Sequence, residues 1–217
     1  MVSLSACLID EPQGLVQASY IFAHGSGAPM DSDFMQSITE LLIAKGVRVI
    51  RFEFPYMSER RKSGKRRPPN RQPELLECFR QVVERVSKRF AEPLFIGGKS
   101  MGGRMATLLL TASPQQLSCK GVVCFGYPFH PQGKPDKLRT EHLFNISVPM
   151  LVLQGTRDSL GNCKEVEGYG LSEAIEMYWL KDGDHDLKPR IKSGFKQSEH
   201  LQAAAEKAGD FITDFNS

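Results

Sequence analysis

The feature that most constrains this chain is a glycine-rich pentapeptide, Gly98-Lys99-Ser100-Met101-Gly102. An apolar run at residues 93–97 precedes it, and a run of helix-forming residues at 104–110 follows it. A strand, Gly-x-Ser-x-Gly and a helix, in that order, are the context of a nucleophile elbow. This turn is so sharp that residues two positions from the serine must lack side chains. The sequence therefore predicts a strained backbone at Ser100 and a nucleophilic role for its hydroxyl.

Size and composition narrow the class of protein. The 217 residues are 41% apolar, so one core and a single domain over residues 1–217 are expected. The net charge of +3 favours no acidic polymer as an obligatory partner. No apolar run reaches the roughly 18–20 residues of a membrane span, and the first ten residues do not resemble a signal peptide. Five cysteines without Cys-x-x-Cys spacing favour neither zinc nor disulfides, and the expected location is the cytoplasm.

Apolar runs alternate with amphipathic stretches, which is typical of an α/β fold with a mostly parallel sheet. The predicted strands are residues 18–23, 47–54, 94–97, 121–125, 150–154 and 175–180. Helices are predicted after Asp33, after Pro73 and near the end of the chain, where an apolar stripe runs from Leu201 to Phe215. All three stripes are expected to face the core. The predicted architecture is a three-layer α/β/α sandwich with no large cap domain.

Two segments fit no predicted element. Residues 57–71 hold seven basic side chains with Gly64, Pro68 and Pro69, and are expected to form a charged surface loop. A solvated surface is the simplest role for its basic part, residues 60–71. Attraction of an anionic substrate, together with Lys99, is the alternative. Nucleic acid is not expected, because no aromatic side chains interleave with the charges. Residues 129–145 are expected to be irregular and are the available lid.

A serine hydroxyl needs an imidazole to take its proton and a carboxylate to orient that imidazole. Asp158 follows the predicted strand at 150–154, and His185 follows the one at 175–180. Each gap from Ser100 onward is long enough for one helix and one strand, so all three residues are predicted to reach the same sheet edge. The backbone N–H groups of Met101 and Ser26 are the candidate donors to an oxyanion, Ser26 because it lies in the turn His24-Gly25-Ser26-Gly27.

Other residues compete for these roles. His24 is expected to orient the oxyanion turn, His130 and His142 precede the acid in the chain, and His200 is expected at the surface. Three aspartates near His185 are expected to be turn formers, although one of them remains the alternative acid: Asp182, Asp184 and Asp186. No second histidine cluster supports a metal site. A phosphate-binding P-loop is rejected, because position 93 is proline where that motif needs glycine.

These motifs resemble those of the α/β-hydrolase superfamily. The residues that carry the resemblance span positions 24 to 185: His24-Gly25-Ser26-Gly27, Arg51-Phe52-Glu53-Phe54-Pro55-Tyr56, Gly97-Gly98-Lys99-Ser100-Met101-Gly102-Gly103-Arg104, Gln154-Gly155-Thr156-Arg157-Asp158 and Gly183-Asp184-His185. Within this superfamily, the chain resembles a small branch without a cap domain. Two features carry that resemblance: Lys99 before Ser100 and the basic segment Arg66-Arg67-Pro68-Pro69. That branch includes bacterial predicted hydrolases, a testis-expressed hydrolase-like protein and a regulatory subunit of the NSL acetyltransferase complex.

The resemblance implies a serine hydrolase of the carboxylesterase type, with no cofactor and a small-molecule substrate. A small, open pocket suited to short acyl chains is expected, because residues 129–145 are the only lid available. The alternative is a hydrolase-fold protein with little or no catalysis that acts as a binding or scaffold module, since the branch contains members thought to act as scaffolds. An intact serine, histidine and acid favour the enzyme.

Overall fold

A computed structural model describes residues 4–112 and 117–214. The centre of the fold is a seven-stranded sheet. The strands are β1 (Leu8–Asp10), β2 (Ala18–Ala23), β3 (Val47–Phe52), β4 (Leu94–Lys99), β5 (Cys119–Phe125), β6 (Met150–Gly155) and β7 (Ile175–Leu180). Their spatial order is β1-β3-β2-β4-β5-β6-β7. All neighbours pair in parallel except β1, which lies antiparallel to β3 at the edge. The mostly parallel sheet is therefore confirmed.

Helices connect the strands, as parallel pairing requires. They are α1 (Asp33–Ala44), α2 (Pro55–Ser63), α3 (Gln72–Arg89), α4 (Met101–Ala112), α5 (Cys163–Val166) and α6 (Gln197–Thr213). Three short 3₁₀ helices lie at Leu4–Ala6, Glu141–Leu143 and Ile191–Ser193. Among the described residues, no helix combines the length and apolar character needed to cross a membrane. No large cap stands over the sheet within the described ranges.

Two apolar cores cover the two faces of the sheet. Alternate side chains of β2 divide between them: Ile21 faces α3 and α4, whereas Phe22 faces α1 and α6. Because both faces are covered, every residue of β2, β3, β4 and β6 is buried. The three predicted apolar stripes contribute to these cores, and Ala204, Ala208 and Ile212 of α6 are fully buried. Phe215, the last predicted member of that stripe, lies outside the described residues.

The sequence prediction missed several elements, among them the short helix α5, and two of them contribute ion pairs to the fold. The first is β1, a three-residue strand whose Asp10 accepts a hydrogen bond from the buried Arg51 at 2.9 Å. The second is α2, which occupies much of the segment expected to be a charged loop. Proline at position 55 suits the first turn of a helix, and Gly64 ends α2 with φ of 70°. This helix has no apolar stripe, because only Tyr56 and Met57 are buried, so periodicity gave no signal.

One basic side chain of α2 pairs with a buried carboxylate, although it is itself partly exposed. Arg61 contacts Glu53 at 2.6 Å and Asp31 at 2.7 Å, and the Glu53 side chain is only 4% exposed. By contrast, Arg67 pairs with Glu59 where both side chains are about half exposed. The basic segment therefore contains both structural and surface charges.

We expect Arg61→Met to lower the free energy of unfolding by about 1.5–3 kcal/mol, because Glu53 would keep its charge in a buried position without a partner. Arg67→Met is the matched control and should change the free energy by no more than about 0.5 kcal/mol, since its pair is solvent-exposed. Urea denaturation at pH 7 measures both values. Equal effects of the two substitutions would show that Arg61 is an ordinary surface charge.

Candidate active site

Ser100 lies in the turn between β4 and α4 with a positive φ of 52°, one of few residues other than glycine in this conformation. The turn is close to the end of β2. A Cβ atom at position 98 or 102 would lie 2.4 Å from the carbonyl oxygen of Ala23, so neither position tolerates a side chain without backbone movement. The structure thus has the sharp, strained turn that the sequence predicts. The Ser100 N–H donates to the Phe125 carbonyl at 3.0 Å, which fixes the turn against β5.

The predicted nucleophile, base and acid form a continuous row. Nε2 of His185 lies 2.8 Å from Oγ of Ser100, and its Nδ1 lies 2.8 Å from Oδ2 of Asp158. The Asp158 side chain is fully buried, whereas that of His185 is 23% exposed. With Nδ1–H donated to the carboxylate, Nε2 is left as the acceptor that faces the hydroxyl proton. The structure therefore brings together the three residues that the sequence singles out.

The carboxylate of Asp158 is held by groups besides His185. The Leu160 N–H donates to Oδ1 at 2.8 Å, and the side-chain amide of Gln154 donates to Oδ2 at 2.9 Å. Gln154 is fully buried and also accepts a hydrogen bond from the Tyr127 N–H at 2.7 Å. Sequence reasoning missed this glutamine. A polar residue that closes the apolar run at 150–153 was the available signal, because a buried amide must find partners.

The three aspartates near His185 have other partners. Asp184 accepts hydrogen bonds from the N–H groups of Asp186 and Lys188, which closes the turn that carries His185. Asp182 forms ion pairs with Arg157 and Arg190. These contacts agree with the expectation that the aspartates shape the loop. Asp158 is the carboxylate within hydrogen-bond distance of the His185 ring.

The turn at residues 24–27 is fixed from several sides. His24 is buried, donates through Nδ1 to the Gly25 carbonyl at 2.7 Å and accepts at Nε2 from the Phe54 N–H at 3.1 Å. The Tyr56 hydroxyl donates to the Ser26 carbonyl at 3.0 Å. The carbonyl group of Ser26 is therefore held by a side chain of α2. Within residues 4–112 and 117–214, no acceptor is hydrogen bonded to the N–H of Ser26 or Met101.

Lys99 contacts the loop that carries His185 and not the hydroxyl of Ser100. Its ammonium donates to the His185 carbonyl at 2.7 Å and lies 3.1 Å from a carboxylate oxygen of Asp186. The side chain is 9% exposed, and burial holds its pKa below the ordinary value despite Asp186. Lys99 thus ties β4 to the loop that presents His185, which gives a structural role to a charge that the sequence left unexplained.

Two cavities, both open to solvent, meet at Ser100. The first has a volume of about 420 Å³ and is lined by residues that include Met101, Arg104 and Arg139. The second has about 320 Å³, and Lys99, His185 and Asp186 are among its lining residues. Ser26, Ser100 and Leu160 border both. Ser100 therefore lies between two small spaces, and residues 128–139 cover only part of the first one.

The remaining histidines have structural contacts. His200 was expected at the surface, and this is wrong: it is 5% exposed and donates through Nδ1 to the Leu187 carbonyl at 2.8 Å. It lies in the first turn of α6, where that helix supports the loop after His185. His130 is buried near Glu165, and His142 contacts Thr107 and Tyr127. Among the described residues, no cluster of potential ligands is arranged to hold a metal ion.

A model of the family described as an alpha/beta hydrolase domain matches residues 16–213, nearly the whole chain. The chain belongs to this family. The match covers the turn at residues 24–27, the elbow at Ser100 and the positions of Asp158 and His185.

Solved structures share the fold at low sequence identity. A dienelactone hydrolase from Anabaena variabilis is 18% identical with a TM-score of 0.72, over 96% of this chain and 90% of that one. Est1E from Butyrivibrio proteoclasticus, solved with ferulic acid, is 15% identical with a TM-score of 0.71, over 97% and 94%. An alpha-beta serine hydrolase homologue from Coxiella burnetii is 14% identical with a TM-score of 0.69, over 97% and 91%. At these identities, the likeness is one of fold.

We expect Lys99→Met to loosen the loop that carries His185, because the substitution removes the ammonium that holds the His185 carbonyl. Hydrogen exchange of the amides at residues 184–187 should become faster, and labelling of Ser100 by a fluorophosphonate should slow about tenfold or more. Lys188→Met is the matched control, since that side chain is exposed in the same loop. If the two variants exchange and react alike, Lys99 does not position His185.

Proposed function

We propose that this protein is a serine hydrolase that cleaves an ester of a small molecule through an acyl-enzyme. The observation that carries the proposal is the unbroken row of hydrogen bonds from the Ser100 hydroxyl through His185 to the buried Asp158. A carboxylate at Nδ1 holds the imidazole in the tautomer that can accept the serine proton. A folded chain has no structural need for this order of groups on a strained turn, which supports catalysis over a scaffold role.

The proposed reaction has two halves. Oγ of Ser100 attacks the ester carbonyl carbon while Nε2 of His185 takes the hydroxyl proton, which gives a tetrahedral oxyanion. When this intermediate collapses, the bond to the alcohol oxygen breaks and His185 returns the proton to the leaving alcohol. Water then attacks the acyl-serine, again with His185 as base, and releases the carboxylic acid and free Ser100. Asp158 orients the ring throughout and stabilises its charged form.

The N–H groups of Met101 and Ser26 are the proposed donors to the oxyanion. Met101 begins α4, so its amide has no partner within the helix, and the helix N-terminus favours negative charge. Ser26 borders both cavities next to Ser100. Its carbonyl is held by Tyr56, which supports the idea that its amide is already oriented before substrate binds.

The size of the cavities supports a preference for small substrates. Spaces of about 420 and 320 Å³ on either side of Ser100 suit a short acyl group and a small alcohol, with no cofactor in the proposed reaction. We also propose that the chain belongs to the small branch without a cap domain named above and works in the cytoplasm. Lys99 and the basic residues that precede Pro68 support that placement.

Fluorophosphonate labelling tests the nucleophile and the base. The folded wild-type protein should be labelled at one site, Ser100→Ala should not be labelled, and His185→Ala should react orders of magnitude more slowly. Intact-mass spectrometry gives the stoichiometry, and circular dichroism checks that the variants remain folded. The scaffold alternative requires the opposite result: a folded wild-type protein that takes up no probe and hydrolyses none of the 4-nitrophenyl esters from acetate to palmitate.

The acid is tested by Asp158→Asn, which keeps the size of the side chain but favours the wrong imidazole tautomer. We expect kcat for 4-nitrophenyl acetate to fall by on the order of 10³–10⁴. Asp184→Asn is the control, because Asp184 contacts backbone N–H groups of the same loop and not the ring. Activity retained in Asp158→Asn would assign the role to one of the aspartates near His185.

A further inference from the structure

Two arginines line the larger cavity beside Ser100 and have no acidic partner among residues 4–112 and 117–214. Arg104 lies one helical turn after Ser100 on α4, and Arg139 comes from the segment that partly covers the site. No aspartate or glutamate is among the described residues that line this cavity. The two buried arginines differ, since Arg48 pairs with Glu11 and Glu92, and Arg51 pairs with Asp10. Two positive charges with no counter-charge therefore border the proposed nucleophile.

The guanidinium of Arg104 is also short of hydrogen-bond acceptors. Its Nε is buried without a partner, and within the described part of the chain its side chain donates one hydrogen bond, from Nη2 to the Gln72 amide oxygen at 3.3 Å. A buried charged donor without an acceptor costs free energy, and a ligand is one group that can supply the acceptor. The Nε of Arg51 is also without a partner, but both of its terminal nitrogens donate hydrogen bonds and one of them pairs with Asp10. Gln72 lines the same cavity, so the unsatisfied edge of Arg104 and the cavity belong together.

The neighbouring groups do not neutralise this charge. Burial, and then the charge of Arg104, lowers the pKa of His142 to about 4, so its ring is neutral at pH 7. Burial raises the pKa of the Tyr127 hydroxyl well above its ordinary value, so the phenol keeps its proton. Tyr127 also contacts the Arg139 carbonyl at 3.4 Å, which anchors the segment that carries this second arginine. Neither His142 nor Tyr127 therefore carries a negative charge that would compensate Arg104 or Arg139.

We propose that Arg104 and Arg139 bind an anionic group of the substrate, a carboxylate or a phosphate, while Ser100 attacks an ester bond elsewhere in the same molecule. The inference rests on the proposed function for the reaction, but the anion site itself is independent of catalysis. Planar guanidinium groups fit both oxyanions with paired hydrogen bonds. The substrate class is thus an ester that also carries a negative charge.

The second cavity does not offer the same chemistry. Its buried cation, Lys99, lies 3.1 Å from Asp186, which borders the same space. The charges on that side compensate each other, whereas those on the Arg104 side do not. The anionic end of the substrate therefore belongs in the larger cavity, and the uncharged part belongs in the smaller one.

The anion site is tested first without turnover. Isothermal titration of the Ser100→Ala protein with glutarate and, separately, with inorganic phosphate is done at constant ionic strength. We expect at least one anion to bind and the affinity to fall about 10- to 100-fold when Arg104→Met or Arg139→Met is added. Arg66→Met is the control, because Arg66 is an exposed member of the basic segment and should leave the affinity unchanged. The tighter anion identifies the group.

No binding of either anion, or an equal loss in the Arg66 control, would overturn the inference. The first result would leave the cavity without an anion site, and the second would indicate only general attraction by the basic surface. Thermal unfolding of each variant shows whether it is folded under the conditions of the titration. We expect Arg104→Met to be at least as stable as its parent without ligand, since it removes a buried charge with an unpartnered donor.

Kinetics then connect the anion site to the reaction. Monomethyl glutarate and methyl pentanoate are methyl esters of equal acyl length, and only the first carries a free carboxylate. Because methoxide is a poor leaving group, that carboxylate does not readily cleave its own ester without the enzyme. The wild-type kcat/KM should favour the charged ester, and Arg104→Met should lower that value about 10- to 100-fold with little change for the neutral ester. Ser100-dependent hydrolysis without this preference would reject the anion site but leave the hydrolase proposal intact. Absence of fluorophosphonate labelling would reject the hydrolase proposal alone.

Discussion

The close approach of the β4–α4 turn to the end of β2 is the constraint on which the rest of the site depends. The Ala23 carbonyl lies where a side chain at position 98 or 102 would have to be, so two glycines are required before the turn can form. Once formed, the turn gives Ser100 a φ of 52° and directs its N–H to Phe125 on the next strand. Because Ala23 immediately precedes His24, the same contact brings the turn at residues 24–27 next to the serine. Nucleophile and proposed oxyanion donors are thus positioned by one packing event, with the strain compensated by the buried strands on either side.

Much of this arrangement could be predicted from the sequence, because it depends on local spacing and on the parallel sheet. Glycines around Ser100, and apolar strands that end just before Asp158 and His185, were enough to predict that these two residues share its sheet edge. The missed features depend on tertiary contacts instead. Helix α2 has no apolar stripe. It is held instead by Arg61, which contacts Glu53 and Asp31, two residues outside the helix. Burial of His200 likewise depends on a carbonyl at Leu187, in a loop whose path periodicity does not describe.

Two polar residues, Gln154 and Lys99, hold the proposed acid and base in position. Gln154 lies at the end of β6 and connects Asp158 to the backbone of Tyr127, so the carboxylate is tied to the segment that directly follows the neighbouring strand β5. Lys99, at the end of β4, performs the corresponding task for the His185 loop through a carbonyl and Asp186. Both side chains are almost fully buried, and both are hydrogen bonded to groups that would otherwise be free to move. The geometry of the candidate site is therefore fixed by residues at the ends of strands, and not by the solvent-exposed loops alone.

Charge pairing divides the basic residues of this chain into groups that composition cannot separate. Arg48, Arg51 and Arg61 stabilise the fold through carboxylates, and Lys99 is compensated within the loop that it holds. Arg104 and Arg139 alone combine a cavity beside Ser100 with the lack of an acidic partner among the described residues. Since Arg104 lies one turn after the nucleophile on the same helix, the element that presents the hydroxyl also presents the charge. Reaction and selectivity are then separable: the row ending at Asp158 would act on any ester that reaches Ser100, whereas the residue at position 104 would decide which ester does.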